Sequence, residues 1–203
     1  MNVPVEKILQ DYVYQRELIE KVAQRKSPAS LTICAPNPDW ANIYKELEMQ
    51  IQYALGPVCQ YIAHVGSTSV PGLPAKNIID IDVTVTDAAD ESTYVPALEA
   101  IGFQFFSREP HYYEHRLFLS YSPHANLHVY CTESAEVIRH RIFRDRLRKS
   151  LSDRDLYAMA KIRASEATIM AGGKMSEYTE RKGCVIREIL HRGFEDVGLV
   201  VKS

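Results

Sequence analysis

The sequence has little with which to cross-link or anchor itself. Its four cysteines, Cys34, Cys59, Cys131 and Cys184, are widely separated and form no Cys-x-x-Cys pair, so neither a disulfide framework nor a thiolate zinc site is indicated. Buried free thiols in a reducing cytosol are expected. No apolar run approaches the roughly 18 residues that a membrane span needs, and no N-terminal signal region stands out, so a cytoplasmic protein without membrane contact is expected. Nor is there an excess of charge of one sign: 24 basic and 26 acidic residues leave a net charge of -2. That balance excludes a protein that coats nucleic acid as a whole and leaves polyanion contacts to a local patch. There is no Walker-type phosphate loop. What remains is 203 residues at 46% hydrophobic, enough for one domain with an appendage.

The stretch from Tyr61 to Thr86 organises the rest. A short apolar run turns at Gly66-Ser67, crosses a loop bearing Pro71, Gly72 and Pro74, and enters a second run, Ile78 to Val85. There Ile79, Ile81, Val83 and Val85 fall on one strand face and Asp80, Asp82 and Thr84 on the other. Burying the aliphatic face therefore presents two carboxylates about 6.6 Å apart at Cα, which repel unless a cation, a proton or water intervenes. Magnesium, bound through one or two carboxylates plus phosphates, is one remedy, and an exposed strand face at a sheet edge is the other reading. Gly66-Ser67 can offer backbone N–H groups and a hydroxyl to a phosphate.

A Gly-Ser turn followed by an Asp-x-Asp strand resembles the signature of the nucleotidyltransferase superfamily that includes polymerase β. The fuller string His64-Val65-Gly66-Ser67-Thr68-Ser69-Val70-Pro71-Gly72-Leu73, with Ala75-Lys76 and Ile78 to Asp82, is similar to the GrpB family within it, and the resemblance extends over about residues 35–192. It implies a small mixed α/β (α+β) sheet of nucleotidyltransferase type flanked by helices, with a C-terminal helical layer. The implied reaction is metal-dependent nucleotidyl transfer from a nucleoside triphosphate, with Mg2+ or Mn2+ as cofactor. The third carboxylate of the superfamily is missing from the later strand Asn126 to Tyr130, where the family pattern carries a histidine at His128. Histidine suits Zn, Mn or Ni better than Mg, or serves as a base. One metal held by Asp80, Asp82 and His128 is the expectation, against a satisfied core histidine. Glu114 is the reserve acid.

Residues 1–30 are expected to be a helical extension, with Val5, Ile8, Leu9, Tyr12, Leu18, Ile19 and Val22 at helical spacing through residues 4–26. Asp39 caps a helix from Trp40 to Leu55 that Gly56-Pro57 ends, and Trp40 reads as core. His64 reads as structural. A sheet core spans about 35–131, with a helix from Tyr94 to Ile101 and a hairpin of His111 to Tyr121 with Asn126 to Cys131. The helical part, about 132–192, comprises three helices: Glu133 to Lys149, one capped at Ser152-Asp153 running to Met170, and Ser176 to His191; a tail occupies 193–203.

On the first of these helices Val137, Ile138, Ile142, Leu147 and Leu151 are read as facing inward, while Arg141, Arg144 and Arg148 share a face. That face is either solvated or, for Arg144 and Arg148, opposed to a phosphate, and Asp145 pairs with its neighbours or binds metal. Tyr157 with Lys161 and Tyr178 with Lys182 stand at i, i+4 in the family's pattern. Such pairs either pack, with lysine stems over the rings, or form a surface for a base and its phosphates. In the nucleotide reading Gly66 and Ser67 hold the β- and γ-phosphates, and Lys76 with Arg144 and Lys161 or Lys182 neutralises the rest. The alternative is an inactive nucleotide-binding or protein-interaction module linked to coenzyme A, since family members are found fused to dephospho-coenzyme A kinase domains. The ligand would be a nucleoside triphosphate or another small phosphorylated molecule; long nucleic acids are disfavoured by the charge, while the arginine face leaves RNA ends open, and a protein partner is left open.

Overall fold

Alternation along Ile79–Val85 decides how the molecule is layered. Ile79, Ile81, Val83 and Val85 are all buried in one apolar cluster with Leu47, Ile51 and Leu55 of one helix and Leu98 of another. Residues 3–11 and 15–201 are described in this computed structural model. In chain order the elements are α1 (Val5–Leu9), β1 (Glu20–Lys21), α2 (Trp40–Leu55), β2 (Tyr61–Val65), β3 (Ile79–Val85), α3 (Val95–Ala100), β4 (Gln104–Glu109), β5 (His115–Tyr121), β6 (His124–Cys131), α4 (Ala135–Lys149), α5 (Leu151–Met170), α6 (Met175–Arg181) and α7 (Gly183–Asp196).

The six strands form one mixed sheet in the order β1-β4-β5-β6-β3-β2. All pairs are antiparallel except β3 with β6, whose register sets Asp80 beside Asn126 and Asp82 beside His128. The parallel pair of β3 and β6 needs a crossover, and the segment containing α3, β4 and β5 supplies it. Helices α2 and α3 cover the aliphatic face of β3. Helix α4 lies over the aspartate face, as a hydrogen bond from its His140 to Asp82 shows, and packs on α7 through Ile142, which closes on Gly193. A mixed sheet flanked by helices is therefore what the chain adopts.

Several boundaries differ from expectation. The N-terminal segment is not one helix: it is helical over Val5–Leu9, then pairs as β1 with β4, Glu20 opposite Arg108 and Lys21 opposite Ser107. The exposed edge of β4 offers backbone partners that a helix would leave unmet. Ile8 packs with Leu190 and Phe194, whereas Val22 is exposed, so the apparent single stripe served two different surfaces; Tyr12 lies outside the described residues. The last expected helix is two, α6 and α7, divided at Lys182. Leu151 begins α5 and is 61% exposed rather than inward. Of the cysteines, Cys34 and Cys184 are exposed and all four are free. Trp40 is buried, its indole N–H donating to Asn77. Among the described residues no helix is long and apolar enough to cross a membrane.

Candidate functional site

Between the aspartate face of the sheet and helices α4 to α7 lies a cavity of about 500 Å3. Its floor starts at Gly66. This residue has φ 65° and ψ -169°, a backbone region open essentially to glycine alone. A Cβ there would stand 2.3 Å from Asp80 Oδ2, so the turn after β2 and the carboxylate on β3 meet only because position 66 carries no side chain. Ser67 opens a short 3-10 turn, Ser67–Ser69, which Ser69 closes by donating to the Gly66 carbonyl at 2.6 Å. His64 ties this turn to the sheet. Its Nε2 is 3.0 Å from Thr68 Oγ1, whose hydroxyl donates to the Ile78 carbonyl, and its ring stacks on Tyr44. Burial lowers its pKa to about 4, so it stays neutral.

The two aspartates share a face but not an environment. Asp80 lines the cavity and accepts from Asn126 Nδ2 at 2.8 Å, with His128 Nε2 at 4.0 Å. Asp82 is wholly buried, and both its oxygens lie within 3.1 Å of His140 Nδ1. His140 reaches from α4, and its Nε2 sits 3.3 Å from Glu136 one turn earlier on the same helix. Two carboxylates therefore grip one imidazole through both nitrogens. Burial alone would lower the His140 pKa, but Asp82 and Glu136 drive it well above its ordinary value, and it is an imidazolium. Glu136 is held down at about 2 against its own burial, chiefly by His140.

His140 is the residue sequence reading missed. The signal was present as Glu136 and His140 at i, i+4, a spacing that puts both on one helix face. The carboxylate repulsion expected for an Asp-x-Asp strand is relieved, at Asp82, by a protein cation. Among the described residues no group of three His, Cys, Asp or Glu is placed to hold a metal ion. The donor set thus does not fit a centre made by Asp80, Asp82 and His128 together, because His140 occupies both oxygens of Asp82.

The roof carries the lysines. Lys76, Lys161 and Lys182 line the cavity with Tyr157 and Tyr178. Lys161 Nζ lies 4.8 Å from the centre of the Tyr157 ring and Lys76 Nζ 4.7 Å from that of Tyr178, while Lys182 Nζ is 5.0 Å from Tyr178. Lys161 is 1% exposed and donates to the Pro74 carbonyl. Burial, helped by the neighbouring Lys182, lowers its pKa to about 7, and burial with Lys182 lowers that of Lys76 to about 8. Among the described residues none of the three lysines has a carboxylate within salt-bridge distance. Three lysines and an imidazolium converge on one cavity lined by two carboxylates, Glu136, which is paired with His140, and Asp80. Gly66, Ser67, Lys76, Asp80, His128, Tyr157, Lys161, Tyr178 and Lys182 are thus brought together.

Arg144 and Arg148 stand elsewhere, behind the turn. Arg144 donates to the His64 carbonyl at 3.1 Å and to Asp145, and Arg148 donates twice to the Ser69 carbonyl, at 3.1 and 2.8 Å. They brace the Gly-Ser turn from outside the cavity. Asp145 pairs with both arginines. Glu114 lies on the turn between β4 and β5 with φ 52°, paired with Arg116, and does not reach the aspartates' cavity.

The family model described as GrpB protein matches residues 30–192. The chain is 41% identical over 164 residues to the UPF0157 protein BH1888 of Halalkalibacterium halodurans, an alignment covering 81% of this chain and 83% of that protein. The crystal structure of conserved protein GrpB from Enterococcus faecalis superimposes with a TM-score of 0.69 at 22% identity, over 82% of this chain and 99% of that one. A dephospho-CoA kinase of Mycolicibacterium paratuberculosis is 33% identical over 78 residues, which is 37% of this chain and 19% of the kinase.

Proposed function

The chain belongs to the GrpB family, and we propose that its cavity binds a small phosphorylated ligand of nucleotide size. One observation carries this: Lys76, Lys161 and Lys182 converge on the cavity beside the Gly66-Ser67 turn, and among the described residues none of them has a carboxylate within salt-bridge distance. Converging ammonium groups drawn out of water repel one another, and the fold bears that cost unless an anion joins them. A multiply charged phosphate is the anion that meets three cations at once. Tyr157 and Tyr178 supply aromatic surface, and a cavity of about 500 Å3 falls within the range of small-molecule sites.

The reaction class that suits a Gly-Ser turn facing a strand aspartate is nucleotidyl transfer: an acceptor oxygen bonds to the α-phosphorus and pyrophosphate departs with the electrons of the broken P–O bond. Lys76, Lys161 and Lys182 would neutralise the triphosphate, and Ser67 would anchor it. A magnesium or manganese ion, held by Asp80 and phosphate oxygens, would add Lewis acidity there. A second reading, a nucleotide-binding or protein-interaction module without turnover, is favoured by the engagement of both Asp82 oxygens with His140. Its setting would be cytoplasmic, and the dephospho-CoA kinase likeness makes coenzyme A a ligand worth including.

Calorimetric titration tests these readings. ATP, GTP, CTP, UTP and dephospho-coenzyme A are titrated with Mg, with Mn and with chelator, against wild type and Asp80→Asn with Asp82→Asn. Binding that needs the metal and is lost in the double variant supports transfer. Metal-independent binding supports the module, and no binding of any phosphorylated ligand sinks the proposal.

A further inference from the structure

Behind His128 a row of polar groups, with His115 buried at its middle, runs from the cavity into the sheet. His128 lines the cavity, and its Nδ1 lies 2.9 Å from Nε2 of His115 on β5. His115 is buried and stacks against the rings of His128 and Tyr130 at 5.1 and 4.8 Å between centres. Its other nitrogen, Nδ1, is enclosed, makes no hydrogen bond among the described residues, and has Glu109 Oε1 as the charge it faces at 3.5 Å; Glu109 is its register partner on β4. Three strands thus contribute one group each to a line Glu109, His115, His128.

The line has a direction. A neutral imidazole carries one N–H, so across the 2.9 Å contact one ring donates and the other accepts. The far ends decide which. Glu109, when ionised, only accepts, and favours the proton of His115 on Nδ1; Nε2 of His115 is then bare and must accept from His128 Nδ1–H. His128 Nε2 is left bare toward the cavity. In the opposite order a bare Nδ1 would face the Glu109 carboxylate, lone pair against charge, while His128 Nε2–H would point at Asp80. Asp80 favours that opposite order, but from 4.0 Å against 3.5 Å. The side chains of His128 and Asp80 are also 21% and 29% exposed, against 5% and 14% for His115 and Glu109. Coulomb interaction scales as the inverse of distance and dielectric, so the closer, drier pair wins. Asp80 is in addition already served by Asn126. Burial pushes the His115 pKa down, which keeps that ring neutral and the ordering intact.

We propose that Glu109 and His115 are positioning residues that hold His128 in its Nδ1–H tautomer and so present a bare Nε2 to the cavity as the acceptor for a hydroxyl group. Beside the lysine-lined phosphate site this specifies a ligand or co-substrate carrying an alcohol. If the hydroxyl reacts, its O–H bond breaks with the electron pair kept on oxygen and an N–H bond forms at Nε2. Naming the hydroxyl rests on the phosphate-site reading; the tautomer does not.

The test is NMR of the full chain labelled with 15N at histidine, without ligand, in long-range 1H–15N correlation spectra at neutral to slightly alkaline pH. The expected result is Nδ1 protonated and Nε2 bare in both His115 and His128, with a scalar coupling across the N–H···N contact. In Glu109→Leu the bias at His115 is gone, and His128 is expected to shift toward Nε2–H facing Asp80. A wild-type His128 with its proton on Nε2 overturns the proposal, as does a wild-type tautomer pattern that survives unchanged in Glu109→Leu. Should that variant not fold, the wild-type tautomer alone decides. Nucleotide titration can fail with this pattern intact, and the pattern can fail with nucleotide binding intact, so the two readings fall separately.

Discussion

Replacing Lys161 with methionine should weaken phosphate binding and at the same time stabilise the free protein. Lys161 is 1% exposed with its pKa lowered from 10.5 to about 7. A depressed lysine means that the unfolded chain holds the proton more tightly, so stability rises with pH from about 7 toward the unfolded value and is lowest where the folded amine is charged. The depression corresponds to at most about 5 kcal/mol. Against its removal stands the Pro74 carbonyl, which loses its donor at a cost of about 1–3 kcal/mol. A net gain of about 2 kcal/mol remains, which at this size raises Tm by roughly 4–8 °C. Affinity for ATP should fall about ten- to hundredfold, as expected for a lost charged hydrogen bond. The wild type supplies an independent check, because a bound phosphate drives both depressed lysines to the charged form and binding takes up protons. With pKa values of about 7 for Lys161 and 8 for Lys76, uptake is at most about 0.6 proton at pH 7 and about 1.4 at pH 8. Calorimetry in buffers of different ionisation enthalpy measures this directly, above the pH near 6 where phosphate itself titrates. Zero uptake at pH 8, or Lys161→Met binding ATP as wild type does, would refute the reasoning.

Gly66→Ala should cost at least about 1–3 kcal/mol from its backbone conformation alone, and more because its Cβ meets Asp80 at 2.3 Å; urea denaturation reads the loss. His140→Leu should destabilise by about 3–5 kcal/mol, since Asp82 is left buried and unpaired, and equal urea midpoints for variant and wild type would contradict the pairing. The pH course has two limbs. Glu136, at about 2 in the folded state against 4.5, stabilises fully above pH 4.5 and loses that contribution as pH falls toward 2, so Glu136→Gln should remove roughly 3 kcal/mol of acid-sensitive stability. His140, raised in the folded state, stabilises fully below 6.5 and loses it as pH rises through its folded value, which the wild-type minus His140→Leu difference should trace. Arg148→Ala should weaken nucleotide binding indirectly, through a loosened turn, with hydrogen exchange faster at Ser67 to Val70.

What could be read from the chain alone was local in origin. Period-two alternation from Ile79 to Val85 places the aspartates opposite the core, because successive side chains of any strand leave on opposite faces. Gly66 announces a turn, and the i, i+4 spacing of Tyr157 with Lys161 and of Tyr178 with Lys182 puts each pair on one side of its segment. Those signals need only a few consecutive residues. The partners of the site are set at long range, and tertiary structure alone chose them. His140 meets Asp82 across 58 residues of chain, Arg144 and Arg148 turn to the back of the Gly-Ser turn, and residues 20–21 become a strand because β4 has an open edge. Sequence spacing carries the direction of a side chain relative to its own element but not the element that will lie opposite. Whether an aspartate finds a histidine or a metal is therefore settled only when the sheet and the helices close on one another.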